Sequence, residues 1–188
     1  MTLAFTLIVA LWSASVLGAD CSSSGSPRFE KYLEEVGKQL QALDQEVIEA
    51  SSKAMMEPTV LALRLGQMGA YPMPSVENAF AVAVQWPITE WRTEDELKRS
   101  VTESFTPKYP YVLRVSIESR DCSYPPRVLM FRQENPNTPW LITDHFIANP
   151  DDSVKERLPI PSAETLAKAR EEIARQEAGW KNRHESED

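Results

Sequence analysis

The sequence predicts an α+β fold, with a long N-terminal helix and shorter helices packed on a four-stranded, mostly antiparallel bent sheet. Three observations carry that expectation. Apolar residues after Pro27 recur at steps of 4 and 3, the spacing of one helix face. Ala79 to Trp86 alternates instead, with bulky side chains on one side and mostly alanine on the other. Three more strand-like runs then follow in succession, and consecutive strands segregated from helices define the class.

The elements follow in chain order. Leu3 to Leu17 carries no charge, and its apolar heart, Leu3 to Trp12, is ten residues long. A bilayer span needs about 20 apolar residues. The run therefore predicts a signal peptide over residues 1–19, cleaved after Gly18 or Ala19, and hence export to a periplasm or the medium with no stable membrane span left after cleavage. Residues 20–26 form a flexible leader. Lipidation at Cys21 is disfavoured, because the lipoprotein cleavage site wants a small residue where Asp20 stands. Cys21 and Cys122 are the two cysteines, and in an oxidising compartment they are expected to pair. A bridge closing a loop of about 100 residues would contribute about 4–5 kcal/mol.

Ser26 and Pro27 start a helix well, a capping hydroxyl followed by the residue favoured at the first helical position. Phe29, Leu33, Val36, Leu40, Leu43 and Val47 form its stripe, and Pro58 is expected to end it near Met56. A second, shorter helix follows over Thr59 to Met68, with Leu61, Leu65 and Met68 on one face. Two prolines make Ala70 to Ser75 a loop. In the first strand Phe80, Val82, Val84 and Trp86 oppose Ala79, Ala81, Ala83 and Gln85, and a helix is expected on one of these faces. Thr93 to Glu96 is a capping box, and the helix it opens ends before Pro107. Three strands follow, centred on Tyr111 to Glu118, Arg127 to Glu134 and Trp140 to Ala148. Asn135 to Pro139 is turn chemistry and joins two of them as a hairpin. Asn149 to Pro161 reads as a polar linker, and Ser162 caps a last helix with Leu166, Ala169 and Ile173 facing inward.

The expected organisation is one domain over residues 27–150, then a linker and C-terminal helix over 151–188. From about Phe29 to Ala148 this order of elements resembles nuclear-transport-factor-like and cystatin-like folds. That resemblance implies a helix in the concavity of a bent sheet, and no particular function.

Composition narrows the chemistry. The net charge is −8 and the isoelectric point near 4.9, a poor footprint for nucleic acid. The acids gather in the helical ends: residues 20–57 carry −4, residues 58–148 carry −1 and residues 149–188 carry −3. Two histidines are too few for a usual catalytic zinc site, no calcium loop, phosphate loop or dinucleotide fingerprint is present, and no cofactor is expected. His145 is the only plausible base for a hydrolase. Regular alternation places Leu141, Thr143, His145 and Ile147 on one face and Trp140, Ile142, Asp144 and Phe146 on the other, so Asp144 cannot orient the imidazole.

The candidate binding residues are therefore Trp86, Trp91, Tyr109 and Tyr111, aromatic anchors in proline turns, with Asp144 and His145 at the mouth of a sheet-lined pocket. The leading expectation is an exported non-catalytic binding protein. It would serve as an inhibitor or immunity-type factor for another exported protein, a basic one given the acidic surface, or for a wall component. One alternative is a small-ligand or enzymatic pocket protein on a cone-shaped sheet. Another is a structural subunit, a homodimer assembled through the N-terminal helix.

Overall fold

In the computed structural model the described residues are 27–75, 77–85, 92–104, 108–119, 123–149 and 153–184. Trp86, Trp91, Cys21, Cys122 and the run Leu3–Leu17 lie outside them. Within them the chain is α+β, with four helices and five strands. The order is α1 (Pro27–Leu40), α2 (Gln45–Gln67), β1 (Ala79–Gln85), α3 (Glu94–Ser104), β2 (Tyr111–Ser119), β3 (Arg127–Gln133), β4 (Leu141–Ala148), β5 (Val154–Arg157) and α4 (Ala163–His184).

The strands pair in sequence order, β1-β2-β3-β4-β5, and every pairing is antiparallel. The meander has a fifth strand where the sequence reads as a linker. All four residues of β5 are exposed. Its backbone pairing with β4 holds it, so no apolar alternation marks it.

Helices cover both faces of the sheet. Leu61, Ala62 and Leu65 of α2 and Ala169 of α4 join the main core with Leu113, Val115, Leu129 and Phe131. Ala81 and Ala83 pack against this cluster, so the alanine side of β1 is where a helix comes close. On the opposite face Tyr32 of α1 and Leu97 and Val101 of α3 close over Val82 and Val84. Register puts Arg114, Ser116 and Glu118 beside that second cluster. All three are buried and engaged with neighbouring groups.

The expected single helix to Met56 is two. α1 stops at Leu40, and α2 begins after Asp44, whose carbonyl accepts from the Val47 and Ile48 amides at 3.0 and 3.2 Å. The 4-3-4 stripe crosses that break, and its members Leu33, Val36, Leu40, Leu43 and Val47 are only half-buried. Pro58, the expected terminator, instead sits inside α2. Its ring is buried there, and beside it the Thr59 hydroxyl donates to the Met55 carbonyl at 2.7 Å. The chain turns out of α2 through Gly69, with φ 77°; the Gly69 amide donates to the Gly66 carbonyl at 3.0 Å and the Ala70 amide to the Leu65 carbonyl at 3.0 Å.

Other local signals hold. In the capping box of α3 the Glu96 amide donates to Thr93 Oγ1 at 3.2 Å, and Glu96 Oε2 accepts from the Thr93 and Arg92 amides at 3.1 and 2.6 Å. The hairpin turn closes through the Thr138 amide on the Asn135 carbonyl at 3.1 Å. Ser162 caps α4 through the Thr165 amide at 3.2 Å.

One correction bears on the site. Met130 pairs with Asp144, but the next residue, Phe131, pairs with Ile142. Thr143 is thus an extra residue, a β-bulge, with its hydroxyl on the Met130 carbonyl at 3.3 Å. Ile142 and His145 therefore face the main core together, while Leu141 and Asp144 share the other face.

Candidate functional site

The notable groups gather at two opposite ends of the sheet. At the first end β2 and β4 begin and β3 finishes. Tyr111 and Trp140 are buried there, edge-on, with ring centroids 5.6 Å apart. Trp140 also meets Phe131 edge-on at 6.5 Å. Tyr109 lies 6.2 Å from Tyr111 and keeps 36% of its surface exposed. Leu141, at the same end, is 52% exposed. Arg170 of α4 donates to the Trp140 carbonyl at 2.5 Å and ties the helix to this end. Tyr111 is therefore a core residue that supports Tyr109. Its buried hydroxyl has no hydrogen-bond partner, and burial pushes its pKa up.

The opposite end is built on Arg127, His145 and Tyr71. Arg127 opens β3, one diagonal step from His145 on the same face: Arg127 pairs with Ile147, and Leu129 with His145. Tyr71 comes from the loop after α2 and sets its ring 5.2 Å from the imidazole. That loop lies against Gly66, where a Cβ would meet Met73 Sδ at 2.3 Å and the Tyr71 ring at 3.0 Å. The Tyr71 hydroxyl donates to the Ala62 carbonyl, and burial raises its pKa, so it stays protonated.

His145 is 2% exposed. Its Nδ1 lies 2.8 Å from the Pro159 carbonyl. A carbonyl only accepts, so Nδ1 carries the proton and Nε2 presents a lone pair. Burial lowers the imidazole pKa; the Pro159 hydrogen bond opposes that, the Arg127 charge adds to it, and Asp144 works against it. Asp144 is on the other face, paired with Arg157 and accepting from the His145 amide at 2.9 Å. The orienting partner of the imidazole is thus a backbone carbonyl, and no Asp–His relay forms.

His145 Nε2 and Arg127 Nε are both buried without a hydrogen-bond partner. Arg127 is 9% exposed and makes no hydrogen bond or ion pair among the described residues. Burial lowers its pKa, and Glu156 on β5 opposes that from a distance. Each orphaned buried polar group costs roughly 1–3 kcal/mol, more when charged. Two side by side require an explanation.

Sequence reasoning singled out His145 and missed Arg127, Tyr71 and Glu156. A signal for Arg127 exists: it alternates with Leu129 and Phe131, which puts a charge on an apolar face. Among the described residues no cluster of three or more His, Cys, Asp or Glu could hold a metal, and no helix is long and apolar enough to cross a membrane. No protein-family model, no curated protein and no solved structure matches this chain.

Proposed function

We propose that the protein is exported and acts by binding another exported protein, without turnover. The observation that carries the reading is Tyr109, an exposed aromatic ring braced by the buried pair Tyr111 and Trp140. A rigid aromatic on a preformed support loses little freedom when it docks, which is the physics of an interface anchor. Leu141 adds exposed apolar surface at the same end. The net charge of −8 favours a basic partner, and the apolar run Leu3–Leu17 supports export. An inhibitor or immunity-type factor, or a receptor for a wall component, fits these features.

The test uses immobilised mature chain as bait for periplasmic or secreted protein. The wild type is expected to retain a basic polypeptide that Tyr109→Ala releases, with unchanged circular dichroism. Capture indifferent to Tyr109, or turnover of a substrate with nothing captured, overturns the reading. Full-length protein confined to the cytosol overturns its export.

A further inference from the structure

We propose that Arg127 and His145 form a binding site for a single carboxylate group, taken up together with one proton. The site lies at the end of the sheet away from Tyr109, so it goes beyond the docking reading and does not depend on it.

The argument starts from what the two side chains lack. Arg127 Nε is a donor without an acceptor, and His145 Nε2 is an acceptor without a donor. Both residues are more than nine-tenths buried, with exposures of 9% and 2%. They stand a diagonal step apart on one face, so a group bridging them is small. A carboxyl group has the complementary pair of atoms. One oxygen accepts from the guanidinium, and the other meets the imidazole edge.

The proton follows from the tautomer. Because Pro159 fixes hydrogen on Nδ1, Nε2 cannot donate to an anion until it is protonated. A carboxylate arriving from water therefore brings one proton from solvent, shared between Nε2 and the facing oxygen. Charge selects the ligand class. The site offers one permanent cation, Arg127, with Glu156 in electrostatic range of it. That balance suits a monoanion and disfavours the dianion of phosphate. The groups that bear on His145 are Tyr71 from the loop after α2, Arg127 from β3, and Asp144 from its own strand. Tyr71 is committed to the Ala62 carbonyl and Asp144 to Arg157, which leaves Nε2 as the atom that takes the proton.

Calorimetry with acetate tests this, run in two buffers of different ionisation enthalpy to count protons. The wild type is expected to bind acetate with uptake of about one proton, and about tenfold more tightly per unit fall in pH while the free imidazole is neutral. Arg127→Met should weaken binding at least tenfold. His145→Gln should remove the pH dependence while leaving some affinity. Glu156→Gln, on the exposed edge strand, should bind more tightly and does not challenge the fold. A short peptide and its C-terminally amidated form separate a chain terminus from a free acid as the source. Several outcomes overturn the proposal: no saturable heat with acetate, inorganic phosphate binding better than acetate, binding unaffected in both Arg127→Met and Glu156→Gln, or no net proton uptake. Tyr109→Ala should bind acetate as the wild type does, so the two sites fail or stand separately.

Discussion

The two ends of the sheet are built on opposite terms. Around Trp140, rings meet rings, and the exposed Tyr109 rests on a filled interior. Around Arg127, nitrogen atoms are buried with nothing to bond. The first arrangement stabilises the fold and the second subtracts from it. The aromatic end has orphaned atoms too, the Tyr111 hydroxyl and Arg170 Nε, but ring packing holds the one side chain and a hydrogen bond to Trp140 the other. Packing does not explain Arg127 beside the imidazole, which makes no hydrogen bond or ion pair among the described residues. Of the two, the costly end gives the stronger evidence of a ligand.

Substitutions can break that contrast. Trp140→Ala should have the largest effect, lowering unfolding free energy by about 3–5 kcal/mol, since the indole is buried against Tyr111 and Phe131. Urea titration measures it, and a loss below about 1 kcal/mol would mean the aromatic end does not support the fold. Arg127→Met should act in the other direction and raise stability by about 1–3 kcal/mol, because an apolar stem replaces a buried unpaired charge. A destabilised Arg127→Met variant would erase the difference between the ends.

The imidazole sharpens the contrast through pH. Burial holds its folded-state pKa below the ordinary 6.5, so the folded form is neutral where the unfolded form is protonated. Its contribution is complete above about pH 6.5 and is lost as pH falls toward the folded-state value. Melting temperatures from pH 7.5 down to pH 5 should fall less steeply for His145→Gln than for wild type. The smallest effect is expected at Tyr109→Ala. An exposed ring removed from the surface should change stability by no more than about 0.5 kcal/mol, although partner capture is lost.

Local chemistry was legible wherever it was self-contained. Thr93 and Glu96 satisfy each other within one turn, and Asn135 to Pro139 closes its own hairpin. Signals that depend on distant packing misled. Leu40 and Leu43 keep helical spacing across a break, because half-buried positions tolerate either conformation. Pro58 stays inside α2 because that turn is buried against the sheet. β5 carries Lys155, Glu156 and Arg157, charges that guard a sheet edge and also disguise it as linker. Of the site, His145 was visible as a lone histidine in a strand. Arg127 and Tyr71 join it only through pairing register and the close approach of a loop to Gly66.

Thr143 makes β4 two half-strands whose inward and outward positions are out of phase. Drawing that threonine into the regular ladder while keeping the hydrogen-bonding of the first half would turn the second half over, sending the imidazole to solvent and its acidic neighbour under the helices. Whatever the cationic corner recognises is thus set by the one position that stays out of the ladder as much as by the residues that line it.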